Sequence, residues 1–150
     1  MHIDDLSMPN GMPVPLASFR PVHVRFLGQT VHAGFPSPAD DFIEKSVDLN
    51  EVLIRNPTST FLWRVAGDCM IDVRIFLGDV VVVDRSIAPR HRSIVLAIID
   101  NDATSKRVNR RGKVMVLHYE NAKLPPFTVT EGTEVSIWGL VTATIRDLQK

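Results

Sequence analysis

Four consecutive valines, residues 80–83, stand between Gly78-Asp79 and Asp84. Side chains alternate faces along a strand, so this run is apolar on both sides and suits no sheet that borders water. Residues 94–99 have the same character. Both runs are predicted to be strands buried on both faces, or covered in part by a second subunit. From Pro57 onward the whole chain reads as β. Short β-branched or apolar runs cover 61–65, 80–84, 93–99, 104–108, 114–118, 127–129 and 135–145. Turn residues separate them, among them Gly78-Asp79, Ala88-Pro89, Asp100-Asn101-Asp102, Gly112 and Pro125-Pro126. So many strands joined so briefly predict a mainly β fold, a compact barrel-like or sandwich sheet.

The N-terminal part differs. Residues 1–32 hold four of the ten prolines and no sustained helical period, which predicts an extended arm. Within it Val22, Val24 and Phe26 alternate with His23 and Arg25, the pattern of a short strand with one face on something apolar. Pro36 and Pro38 keep the chain extended just after Ala33-Gly34, and Gly34 removes the side chain that would obstruct the preceding carbonyl. Short helices are predicted over 39–44 and again after Asp48, which caps the second with Glu51 at its third position. Leu49, Val52 and Leu53 would share that helix's buried face, and Asn56-Pro57 ends it.

Bulk properties exclude several classes. At 150 residues, 45% hydrophobic and 23% charged, the chain suits one globular domain. Seventeen basic against 17 acidic residues give no global electrostatic reason to bind nucleic acid or an anionic membrane. The densest basic stretch, 106–113, reads as a solvated hairpin tip. One cysteine builds no disulfide framework, no apolar run approaches a membrane span, and the N-terminus lacks a signal peptide's pattern. A cytoplasmic protein is expected. His2, His23, His32, His91 and His118 show no metal-ligand spacing and no glycine-rich phosphate loop is present, so neither metal nor cofactor is predicted.

One stretch carries chemistry. The apolar run 61–65 meets a Gly67-Asp68 corner that presents Cys69 at a strand end. A lone cysteine is more often a small buried hydrophobe than a nucleophile, and Lys106 read alone is an exposed hairpin lysine. The wording changes that balance. Gly67-Asp68-Cys69-Met70, then 78–84 (GDVVVVD), then Thr104-Ser105-Lys106-Arg107-Val108 resemble, in order, motifs of the LexA/UmuD family of self-cleaving domains. Residues 33–40 (AGFPSPAD) resemble that family's cleavage site. The likeness runs over about residues 31–147. Cys69 stands where the family has serine.

The resemblance implies a catalytic pair of Cys69 and Lys106, a scissile bond between Ala33 and Gly34, and an oxyanion held by the backbone N–H groups of Asp68 and Cys69. It divides the chain into an arm, 1–33, removed by cleavage and a peptidase-like domain, 34–150, with His32 as a recognition residue. A free lysine titrates near 10.4, so a working base at neutrality demands roughly 4 kcal/mol of preference for the neutral amine, for which burial is the obvious source. A thiol beside that amine can settle as thiolate plus ammonium, which predicts a slowed, pH-shifted pair. The arm is too short for a helix-turn-helix domain, so sequence-specific DNA binding is not expected. By resemblance the expected role is UmuD-like: cleavage promoted by a RecA filament on single-stranded DNA, after which the trimmed homodimer serves a UmuC-type translesion polymerase. The competing reading is a non-cleaving dimeric accessory module in which Cys69 is a packed core residue; a third is a repressor fragment without its DNA-binding half.

Overall fold

The structure, a computed structural model, describes residues 14–15, 23–27 and 44–149. They fall into two compact units, one lying within Ser18–Arg55 and the other formed by the remainder. In the first, strand β2 (His23–Leu27) pairs antiparallel with β3 (Glu44–Asp48), and one helical turn, α1 (Leu49–Leu53), follows. Asp48 caps that turn as its sequence promised, its carboxylate accepting from Asn50 N at 2.9 Å. The expected buried face did not form: Leu49 and Val52 are exposed, because five helical residues are too short to present one. Val24 of β2 is likewise exposed. Glu44 opens β3 rather than closing a helix, and the rest of the predicted 39–44 helix lies outside the described residues.

The second unit is a seven-stranded antiparallel sheet in the order β1-β4-β5-β9-β6-β7-β8. Its strands are β1 (Val14–Pro15), β4 (Thr60–Arg64), β5 (Val80–Asp84), β6 (Ile94–Ile99), β7 (Asp102–Arg111), β8 (Val114–His118) and β9 (Val135–Ile145). The fold is mainly β, as expected. It is not a closed barrel, since β1 and β8 end the sheet without pairing to each other. Residues 127–129 form no strand. Pro125 and Pro126 remove two consecutive N–H donors just before them, and Phe127 packs edge-on against Tyr119 instead, ring centres 5.4 Å apart.

Turn chemistry fixes the register. Ile99 pairs with Asp102 across Asp100 and Asn101, both at positive φ, as a type I′ hairpin demands. Arg111 pairs with Val114 across Gly112-Lys113, with Gly112 at φ 59°. The valine run of β5 is buried on both faces within this one chain: Val81 and Val83 join Trp63, Met70, Ile75 and Leu96, while Val80 and Val82 join Leu62. Each of these fully buried valines contributes roughly 1.5 kcal/mol or more. A third cluster, Val95, Ala97, Val108 and Leu117, lies beneath the β6-β7-β8 end.

The central strand β9 bulges twice, its register shifting against β5 at Val82/Val83 and against β6 at Leu96/Ala97. The second bulge passes over Trp138, whose ring meets Phe61 and Trp63 edge-on at 5.1 and 5.2 Å. Next to it, a Cβ on Gly139 would lie 2.6 Å from Val83 Cγ1 and 3.2 Å from the Asp84 carbonyl. Gly139→Ala is therefore expected to cost about 1–3 kcal/mol in urea unfolding. A cost under about 0.5 kcal/mol would show that β5 and β9 separate freely.

Two buried carboxylates tie loops to this sheet. Asp84 accepts from Asn56 Nδ2 (2.7 Å), Ser59 Oγ (3.1 Å) and both Ser86 N (2.8 Å) and Ser86 Oγ (2.6 Å). Burial pushes its pKa up, yet these hydrogen bonds outweigh it and hold the group below its ordinary value. Asp79, 2% exposed, takes a bidentate pair from Arg146 at 2.6 Å and accepts Phe76 N at 2.9 Å. Arg146 is the main reason its pKa is depressed. A depressed carboxylate stabilises the fold above its unfolded pKa and loses that contribution as pH falls through the folded value. Acid unfolding should therefore steepen below about pH 4, and Arg146→Met should flatten that dependence.

Candidate active site

Cys69 lies in the turn that follows β4. That strand is extended past Arg64 by bonds from Val65 N to Asp79 O (2.8 Å) and from Gly78 N to Val65 O (2.9 Å). The chain then bends at Gly67-Asp68 and enters a 3-10 turn, Ile71–Val73, closed by Arg74 at φ 63°. Met70, 1% exposed, anchors the turn in the core beside Trp63 and Ile75. The half-buried Cys69 is therefore held by its neighbour.

A second loop stitches this turn in place. Glu120 N donates to Cys69 O (2.9 Å), Asp72 N to Glu120 O (2.8 Å), Asn121 Nδ2 to Asp68 O (2.8 Å) and Ala122 N to Asp72 Oδ2 (2.7 Å). Asn121 is buried, so its side-chain bond is not open to exchange with water. The backbone around Cys69 is thus fixed from both sides. Among the described residues the N–H groups of Asp68 and Cys69 meet no acceptor.

Lys106 arrives from β7. Period-two alternation puts Thr104, Lys106 and Val108 on one face of that strand and Arg107, Asn109 and Arg111 on the other. Lys106 is 2% exposed and is among the largest fully buried side chains described. Its Nζ donates to Thr104 Oγ1 and to Ser105 O (3.2 Å), with the rings of Tyr119 and Phe127 centred 4.7 and 5.2 Å away. Cys69 Sγ lies 3.9 Å from the same Thr104 hydroxyl and donates to the same Ser105 carbonyl at 3.5 Å. Thiol and amine therefore share two partners.

Burial pushes the Lys106 amine below its ordinary value, and the charge that Cys69 can carry pushes it partly back. No carboxylate pairs with Nζ among the described residues. The facing aromatic rings favour the ammonium but supply less than the water they displace. A cleft of about 240 Å³ opens beside Cys69, walled by Arg64 to Gly67 on one side and by Ala103 to Ser105 on the other. Before Arg107, β7 has no strand on its outer side among the described residues, because β8 pairs only with residues 107–111.

The structure thus brings together Cys69, Lys106 and the Asp68 backbone, while Ala33, Gly34 and His32 lie outside the described residues. Sequence reasoning missed Thr104, Tyr119 and Asn121. Thr104 was findable, since it precedes Lys106 by two and so shares its face; the other two come from a loop whose approach no local pattern foretells.

Residues 25–142 match the Peptidase S24-like family. The chain belongs to that family. Protein MucA from Escherichia coli is 41% identical to it over 120 residues, 79% of this chain and 82% of that protein. Protein SamA from Salmonella typhimurium is 38% identical over 113 residues, 75% of this chain and 78% of SamA. A LexA repressor from Shewanella loihica is 37% identical over 122 residues, which span 81% of this chain but 58% of the repressor. In this Peptidase S24-like chain no described helix is long and apolar enough to cross a membrane. Among its described residues no cluster of three His, Cys, Asp or Glu could hold a metal ion.

Proposed function

We propose that this protein cuts itself between Ala33 and Gly34 with Cys69 as nucleophile and Lys106 as general base, and that the remaining 34–150 domain acts as a homodimer in SOS mutagenesis. The observation that carries the reading is the buried Lys106 amine sharing the Thr104 hydroxyl and the Ser105 carbonyl with the Cys69 thiol. A lysine kept from water without a carboxylate is an amine ready to accept a proton.

In the proposed reaction the scissile segment lies extended along the open edge of β7, adding as a strand beside Ala103 to Ser105. Sγ attacks the Ala33 carbonyl carbon while its proton passes to Nζ, directly or through Thr104 Oγ1. The new oxyanion is held by the Asp68 and Cys69 N–H groups, which the 119–122 loop fixes in place. The C–N bond then breaks, Lys106 returns the proton to the Gly34 nitrogen, and water hydrolyses the thioester to free Cys69. A RecA filament on single-stranded DNA would promote docking of the segment. The trimmed dimer would then serve a UmuC-type translesion polymerase.

A second reading, a dimeric accessory module that does not cleave, draws on one contact: the Cys69 thiol lies 3.5 Å from the Ser105 carbonyl, which can hold its proton. Intact mass separates the two. Purified protein incubated at alkaline pH, and in parallel near neutrality with RecA, single-stranded DNA and a nucleotide, should yield a product of residues 34–150. Intact chain under both conditions, with cleavage appearing only in Cys69→Ser, would favour the accessory module.

A further inference from the structure

Behind the face that carries Lys106, β7 turns Arg107, Asn109 and Arg111 toward an open groove of about 500 Å³. The groove is completed by His91 and Arg92 from the loop before β6, by His118 at the end of β8 and by Glu120. We infer that this groove is a nucleic-acid site, holding phosphodiester groups without reading sequence. The inference goes beyond the proposed cleavage and does not depend on it.

The groove is built, not merely crowded with charge. Arg92 is held at φ 69°, a backbone conformation that costs a non-glycine residue about 1 kcal/mol or more. Two bonds keep it there: its N–H reaches Val108 O at 2.7 Å, and its carbonyl accepts Arg107 Nη1. Arg107 in turn pairs with Glu120 at 2.7 Å, so the one carboxylate in the groove is already engaged. His91 Nδ1 accepts from Arg110 N at 3.1 Å, which leaves the ring proton on Nε2 as a donor. Among the described residues the exposed guanidinium groups of Arg92 and Arg111 pair with no carboxylate.

Chemistry selects the ligand. The remaining hydrogen-bonding capacity is mainly donors, two of them guanidinium forks suited to phosphate oxygens. No Phe, Tyr or Trp lines the groove, so it lacks the large rings that usually serve as platforms for bases, and its open form suits a passing backbone better than an enclosed nucleotide. Donors for phosphate without such large rings for bases describe contact that is blind to sequence. The zero net charge of the chain does not oppose this, because basic groups from β7, from the loop before β6 and from the end of β8 gather around one groove.

The test is fluorescence anisotropy of the whole protein carrying Lys106→Ala, so that the chain stays intact, with labelled 30-nucleotide oligo-dT and a 30-base-pair duplex. Binding of either in the range of roughly 1–100 µM at low salt is expected, weakening steeply as salt rises. Arg92→Ala combined with Arg111→Ala should weaken it at least about fivefold and lower the salt slope by roughly 1.4 or more. Arg110→Ala combined with Lys123→Ala removes equal charge away from the groove and should change it less than twofold. All four side chains are exposed, and matching melting curves would establish that both double variants fold. No binding of either oligonucleotide, equal loss in the two double variants, or poly-glutamate of matched charge binding as tightly would overturn the inference.

Discussion

Lys106→Ala will leave the Ala33–Gly34 bond uncut, with the rate down at least about 10³-fold at every pH where the parent chain cleaves. The magnitude follows from the role: no other described side chain within reach of Cys69 can take and return a proton near neutrality, since Thr104 offers only a hydroxyl and Ser105 only a carbonyl. Mass spectrometry of the intact chain reads the result. Residual cleavage within about tenfold of the parent would remove Lys106 from the chemistry. The same residue should reveal itself in stability. Because burial depresses the Lys106 pKa in the folded chain, the unfolded chain binds more protons between that value and about 10.4, and stability rises with pH across this window. Lys106→Met, which fills the site without a charge, should abolish that rise and make the protein roughly 1–3 kcal/mol more stable near neutrality. A buried base that costs stability and supplies activity would give these two opposite signs from one position.

Cys69→Ser is expected to speed cleavage about tenfold near neutrality and to move its pH profile toward acid. The direction follows from what Cys69 does to its neighbour. The charge that a thiolate can carry raises the Lys106 pKa, opposing the larger effect of burial. A serine hydroxyl carries no charge in this range, so the amine becomes neutral at lower pH and the base is not consumed before attack. Rates measured from pH 6 to 10 on both proteins decide the matter. Identical rates and identical profiles would show that sulfur and oxygen are equivalent here and that the pair is not slowed.

Much of this fold was legible because it is written in period two. The runs 80–84, 114–118 and 135–145 became β5, β8 and β9 at those same boundaries. The prediction stopped β7 at Val108, yet it continues to Arg111, because polar Asn109, Arg110 and Arg111 pair with β8 through hydrogen bonds that hydropathy does not report. Residues 127–129 misled in the opposite sense, apolar enough for a strand but preceded by two prolines. The bulge at Trp138 was invisible, since nothing local distinguishes a residue that a strand passes over from one that it pairs. At the site, motifs supplied Cys69 and Lys106. Tyr119 and Asn121 could not be found that way, because their place depends on a loop returning some fifty residues later to the Cys69 turn.

Strand β7 is a ribbon with a separate occupation on each side: Thr104 and Lys106 look inward to the thiol, Arg107, Asn109 and Arg111 outward to the groove. Parity therefore governs what this segment can tolerate as the gene changes. Inserting a single codon between Asp102 and Thr104 would slide the whole set by one place, carrying the lysine to the outer face and Ser105 into the pocket of Tyr119 and Phe127, while deleting one would bring the Arg107 guanidinium into that pocket. Changes of two codons would keep every side chain on its own side and could be absorbed by the Asp100-Asn101 hairpin. Lineages of this domain should therefore vary in length at that hairpin by even steps, with odd ones purged.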